Sequence, residues 1–125
     1  MTTFMATSIN ESPVIVDKAG ASIADVRGCA VKFDENGAVV LCAAGEAALG
    51  IGIMTNDVNI EAGQDVHIQI KDIGLVRAAA EIKKGDKLAV STDGALAPAA
   101  DGEAVAIALE AAADAGVYVK AIILK

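Results

Sequence analysis

Residues 102–125 alternate large aliphatic side chains with small ones, and this period of two constrains the fold more than any other feature. Val105, Ile107 and Leu109 are separated by alanines, and a second alternating run follows the turn residue Gly116. A period of two is typical of a half-buried strand, and glycine readily supplies the positive φ of a turn. The pattern predicts two strands joined by a short connection, with Val105, Ile107 and Leu109 facing the core.

The same pattern occurs once before, which indicates an internal repeat. Residues 49–53 match residues 105–109, and each match lies downstream of a predicted tight turn containing glycine. The repeat units are residues 26–70 and 82–125. Two copies are too few for a solenoid, which needs about three. The sequence therefore predicts an all-β fold, a small pseudo-symmetric β-barrel or sandwich built from two similar β units.

The first residues differ in character from the rest of the chain. Residues 1–12 are polar with isolated Phe4, Met5 and Ile9, and no alternating run is long enough for a core strand. Such a segment is ordered only where something holds it. We therefore predict an N-terminal arm followed by a single β domain over residues 13–125.

Three further segments carry specific expectations. Pro13 favours an edge strand over residues 14–16, because proline is tolerated at the first residue of a strand. Residues 55–64 are expected to form a loop. Residues 65–76 form a long alternating segment with Val66, Ile68 and Ile70 on one face, which predicts one long strand with a bulge or bend at Gly74.

Composition excludes several classes of partner. Hydrophobic residues make up 54% of the chain but aromatic residues only 2%, and the formal net charge is −7. Nucleic-acid binding needs clustered lysine and arginine, which this chain lacks. No run of about 18 apolar residues predicts a membrane span, and no signal peptide is visible. We expect a protein made in a cytosol, with neither nucleic acid nor membrane as a partner.

The cysteines, the histidine, the Gly-Ile-Gly segment and Glu110 are interpreted as structural residues rather than as parts of a catalytic or binding site. Cys29 and Cys42 are expected to be reduced, buried and inert, and the single histidine, His67, to lie on the surface. Residues 50–52 (Gly-Ile-Gly) are interpreted as close strand packing, because the third glycine of a dinucleotide fingerprint is missing. Glu110 is expected to accept backbone hydrogen bonds. The sequence therefore predicts no catalytic, cofactor-binding or metal-binding residue, and no enzyme.

The second repeat unit resembles the small capsid cement, or head decoration, proteins of tailed bacteriophages. The matching elements are Gly85-Asp86, Gly94, Pro98, Ile107-Ala108-Leu109-Glu110-Ala111-Ala112, Gly116 and a final strand over residues 117–124. The resemblance spans residues 26–125, more loosely in the first half, where Met54 replaces the glutamate. It implies a β-rich domain on the exterior of the virion capsid. The major capsid protein would be its partner, and it would assemble with itself as a trimer or dimer at local symmetry axes.

Two classes of function follow. The first is a structural virion protein that decorates and stabilises the assembled phage head. The alternative is a displayed β domain that binds a host-surface or carbohydrate ligand, although sugar sites usually use exposed aromatic residues. Ile122, Ile123 and Leu124 are consecutive, so both faces of the last strand are apolar. We expect one of these faces to make a subunit contact.

Overall fold

The computed structural model describes residues 13–99 and 103–124, so the predicted arm over residues 1–12 lies outside the described residues. The described chain is nearly all β, and its helical element is one 3-10 turn, Thr92–Gly94. In chain order the strands are β1 (Val14–Lys18), β2 (Ile23–Asp25), β3 (Ala30–Phe33), β4 (Val39–Leu41), β5 (Gly50–Gly52), β6 (Val58–Ile60), β7 (Asp65–Gln69), β8 (Asp72–Arg77), β9 (Lys87–Val90), β10 (Leu96–Pro98), β11 (Ala106–Ala108) and β12 (Tyr118–Ile123).

Two five-stranded antiparallel sheets share one strand order. The first sheet runs β1-β7-β5-β3-β4, and the second runs β8-β12-β11-β9-β10. Each strand of one sheet thus has a counterpart at the same place in the other: β1 with β8, β7 with β12, β5 with β11, β3 with β9 and β4 with β10. The prediction of an all-β fold built from two similar units is confirmed.

The connections between strands repeat as well. Ala19 N donates to Gln64 O at 2.8 Å, and Ala78 N donates to Val117 O at the same distance. Ala19 and Ala78 also form equivalent parallel bridges, to Val39 and Leu96. The correspondence includes β1 and β8, which lie outside the predicted repeat units of residues 26–70 and 82–125. In the structure, the first unit therefore comprises β1 to β7 and the second unit β8 to β12. The single-domain boundary at residue 13 stays a prediction.

Residues 55–64 are not wholly a loop. β6 pairs with β2 in a small antiparallel sheet, with Ile23 opposite Ile60. In the second unit the same place holds one isolated bridge between Ile82 and Ala112. Such three-residue strands are too short to show an alternating pattern, so the sequence could not reveal them.

The expectation of one long strand over residues 65–76 is wrong. The segment divides into β7 and β8, which belong to different sheets. The break lies before Gly74, at residues 70–71, and Asp72, the first residue of β8, has a φ of +69°. Gln69 fixes the crossing, since its Nε2 donates to the carbonyl oxygens of Lys71 and Ile73, each at 2.8 Å. The large apolar residues change phase across the break, from Val66, Ile68 and Ile70 before it to Ile73 and Leu75 after it.

Two clusters of buried side chains form the core. One lies within the first unit and includes Val31, Val66 and Ile68. The other fills the second unit, and it also takes in Ala30 and Ile51 of the first. Neighbouring residues of β3 therefore enter different clusters, so the first sheet is buried on both faces at β3 and β5.

Of the residues predicted to face the core, Val105 is buried in the second cluster, but the predicted facing of Ile107 in β11 is wrong. Ala106 and Ala108 are buried in the second cluster, whereas Ile107 is half-buried on the opposite face. Alternation shows which residues share a face, but it does not show which face is the interior. The cluster that buries Ala106 and Ala108 also contains Ile51 from the first unit. Large side chains of other strands thus fill this cluster, and β11 contributes two alanines to it.

Candidate interaction surface

An ion-pair network joins the two units at one end of the sheets. Arg27 donates to both carboxylate oxygens of Asp25, from Nε and Nη2, each at 2.9 Å. Arg77 of the second unit donates from Nη2 to Asp25 Oδ2 at 2.6 Å and to the hydroxyl of Tyr118 at 2.7 Å. Its backbone N donates to Gly28 O at 2.7 Å. The contact is therefore made by main chain and side chains together.

The charge state of Asp25 follows from this network. The hydrogen bond from Arg27 holds the pKa of Asp25 well below its usual range, and the bond from Arg77 adds to this, while partial burial opposes it. The carboxylate is thus ionised and already bonded to two guanidinium groups. This arrangement is suited to fastening the units together rather than to acid–base chemistry.

The side chains that were candidates for chemistry have structural roles. Cys29 and Cys42 are buried and free, as expected, and burial raises the pKa of the Cys42 thiol to about 11. His67 is exposed, as expected. Its backbone is held by Asn56, whose Oδ1 accepts from His67 N at 2.9 Å and whose Nδ2 donates to His67 O at 2.8 Å. None of these contacts activates a nucleophile.

The structural interpretation of Glu110 is confirmed, because its Oε1 accepts from Lys120 N at 2.8 Å. The interpretation of the Gly-Ile-Gly strand is also confirmed. A Cβ at Gly50 or Gly52 would clash with backbone oxygens, those of Gln69 and Val26. These glycines allow close approach of neighbouring backbone.

Metal-ligand groups and membrane-spanning helices are both absent from the described part of the chain. Residues 13–99 and 103–124 contain no group of three or more histidine, cysteine or acidic side chains that could hold a metal ion. In the same ranges no helix is long and apolar enough to cross a membrane.

A cleft of about 380 Å³ lies between the two sheets. Its lining is mostly small or aliphatic, with Ile51, Val105 and Ile123 from the shared core and Glu103 as its charged residue. One exposed carboxylate without a basic or nucleophilic neighbour in the lining offers no catalytic grouping.

The most distinctive surface is one face of the second sheet, which we call the outer face. Strand register places Lys87, Ile107, Ile122 and Ile73 in a row across β9, β11, β12 and β8. The next row brings Leu75 opposite Lys120. Ile73 is 57% exposed, Leu75 38% and Ile122 37%. An apolar surface shared by neighbouring strands is the feature expected of a protein-contact site.

Sequence analysis identified only part of this surface. The apolar character of both faces of β12 correctly indicated that one lies outside the core, since Ile123 is buried and Ile122 is exposed. The sequence placed Ile107 in the interior, and Ile73 and Leu75 in one long strand over residues 65–76. Their assembly into one face depends on the pairing of β12 with both β8 and β11, which the sequence does not specify.

Comparisons with known proteins bear on the fold. No protein-family model and no curated protein sequence matches the chain. The structure is similar to the crystal structure of the head fiber gp8.5 N base in bacteriophage phi29, with a TM-score of 0.69 and 21% sequence identity. The match covers 89% of this chain and 92% of that chain. At this identity the likeness shows a common fold, extending over nearly all of both chains.

Proposed function

We propose that the chain is a structural virion protein, a decoration or cement protein that binds the outer surface of an assembled phage head and stabilises it. The observation that carries this proposal is the fold likeness to the base of a phage head fiber, over nearly the whole of both chains. The motifs of the second repeat unit, which resemble those of head decoration proteins, support the same role independently.

The side-chain chemistry is compatible with a non-enzymatic role. The Asp25 carboxylate, whose pKa is strongly lowered, is bonded to two arginines, and both cysteine thiols are buried. In this proposal the partners are the major capsid protein and further copies of the chain, arranged as a trimer or dimer at local symmetry axes. The protein lies on the exterior of the virion.

The alternative, a displayed domain for a carbohydrate ligand, has less support. Tyr118 is engaged by Arg77, which leaves Phe33 as the other aromatic side chain in the described part of the chain. Phe33 is exposed, but sugar sites usually need an aromatic platform accompanied by several polar groups.

The direct test uses heads of the encoding phage assembled without this protein. Purified protein is added, the heads are sedimented, and bound protein is quantified against concentration. We expect saturable binding at a fixed number of copies per head and a higher temperature of head disruption. Protein that stays in the supernatant at every concentration would contradict the proposal. Multi-angle light scattering on the free protein tests the expected trimer or dimer separately.

A further inference from the structure

We propose that the outer face of the second sheet is the docking surface, and that it fits a protein surface with an apolar centre and carboxylates around it. This inference rests on the proposed function, in which that partner is a subunit of the head shell. The inference goes beyond that function by naming the face of the domain that binds and the kinds of side chain that the shell subunit has at the contact.

The internal repeat supplies the first argument. The row Lys87–Ile107–Ile122–Ile73 of the second sheet corresponds to a row in the first sheet, Ala30–Ile51–Gln69–Val14. In the first sheet Ala30 and Ile51 are buried, because the second unit packs against them. This face of the fold therefore already supports one protein contact within the chain.

The second sheet has an apolar row at the same place, and within residues 13–99 and 103–124 this row remains partly exposed. Ile73 and Ile122 replace Val14 and Gln69, so this row is more apolar at those two positions although it is more exposed. Larger exposed apolar side chains at equivalent positions oppose solubility unless a partner covers them.

Charge identifies the partner. The strand residues of the outer face, all of them described, include two lysines, Lys87 and Lys120, and no carboxylate, while Arg77 is paired with Asp25. The whole chain, in contrast, has 17 acidic and 10 basic residues. Glu110 lies at the border, where it accepts from the backbone of Lys120. Two copies docked through this face would bring lysines against lysines, which is unfavourable. A partner bearing carboxylates around an apolar centre is complementary.

The contact is made by side chains rather than by strand addition. β8 is the edge strand of the sheet. However, its outward backbone groups are occupied near both ends, since Ile73 O accepts from Gln69 Nε2 at 2.8 Å and Arg77 N donates to Gly28 O at 2.7 Å. An added strand would have to displace both contacts, so the exposed side chains are the available recognition surface.

A matched pair of variants tests the apolar part. Leu75 and Val16 hold equivalent places in the two sheets, opposite Lys120 and His67, and both are substantially exposed, 38% and 50%. We expect Leu75→Asp to weaken binding to heads assembled without this protein by roughly tenfold or more, as truncation of a central contact does. Val16→Asp should bind like the wild type. Melting temperatures of the free proteins show that both variants fold.

A second pair tests the charged part. Lys87→Glu/Lys120→Glu and Lys83→Glu/Lys84→Glu change the net charge equally, but only the first pair lies on the outer face. The first double variant should bind the same heads more weakly and show a smaller loss of affinity when salt is raised, because surface charge attraction is screened. The second should retain wild-type salt dependence.

The outcomes separate the two proposals. Wild-type protein that fails to bind heads overturns the proposed function and this inference together. If wild type binds and Leu75→Asp binds equally well, the inference is overturned while the function stands. If the free protein is an oligomer that Leu75→Asp dissociates, the face is occupied by a second copy, which also overturns the inference.

Discussion

Asp25 in the first unit accepts a 2.6 Å hydrogen bond from Nη2 of Arg77 in the second, and this bond joins the small β2–β6 sheet of the first unit to β8 of the second. The Asp25 side chain is only 24% exposed, so the pair is screened less than a surface ion pair. Arg77 is also positioned by Tyr118 and by the carbonyl of Gly28. The junction therefore combines charge with fixed geometry.

Removing this carboxylate should destabilise the protein. Asp25→Ala leaves Arg27 and Arg77 without their acceptor, and losing hydrogen bonds to a charged group lowers the free energy of unfolding by about 1–3 kcal/mol. Urea denaturation followed by circular dichroism measures it. The control is Asp65→Ala, which breaks the pair with Lys18, whose side chains are 52% and 64% exposed. That variant should leave the free energy nearly unchanged. Equal losses of unfolding free energy in the two variants would show that the Asp25 junction stabilises the fold no more than a surface ion pair does.

The same carboxylate predicts a pH dependence. The pKa of Asp25 is depressed in the folded state, chiefly by the hydrogen bond from Arg27. Its contribution to stability is therefore complete above the unfolded pKa of about 4 and is lost as pH falls toward the folded pKa. The free energy of unfolding of Asp25→Asn should fall less steeply than that of wild type below about pH 4. Parallel curves for the two proteins would disprove this assignment.

Gly28 should be far less replaceable than a glycine with the same backbone conformation. Gly28 and Gly37 have φ of +72° and +80°. A Cβ at Gly28 would lie 2.8 Å from Arg77 N and 2.9 Å from the Tyr118 ring, whereas one at Gly37 meets nothing within 4 Å. Gly37→Ala should cost about 1 kcal/mol of backbone strain, and Gly28→Ala at least about 1 kcal/mol more through steric overlap. Thermal melting of the pair measures the difference, and equal melting temperatures would refute it.

The facing of β11 gives a further prediction. Ala106 is fully buried and Ile107 half-buried, so Ala106→Asp places a charge in the shared core and should unfold the protein. Ile107→Asp should lower the free energy of unfolding by only about 1–2 kcal/mol. Urea denaturation of both variants tests this order. An Ile107→Asp protein that is unfolded while Ala106→Asp folds would restore the facing predicted from sequence.

The sequence predicted the class of fold because two kinds of signal are local. Alternation identifies strands such as β12, and glycine turns such as the one at Gly37 mark where strands end. The internal repeat then indicated two similar units. These signals need no knowledge of which strands are neighbours.

The features that the sequence did not predict depend on contacts between residues that are far apart in the chain. The inward residues of β11 share a cluster with Ile51, far away in the chain, and the Gln69 side chain bonds to the backbone where β7 and β8 divide. The junction was missed because Asp25 and Arg77 carry no motif and lie far apart in sequence. The outer face was missed because it requires the strand order of the second sheet.

The burial of Ala30, Cys42 and Ile51 in the cluster of the second unit has a consequence for how the molecule opens. Neither repeat unit can separate from the other without exposing apolar surface of both. Amide hydrogens in β3, β5, β9 and β11 should therefore exchange through the same global opening event, with one shared free energy. Although the chain reads as two copies of one pattern, it unfolds as a single cooperative body.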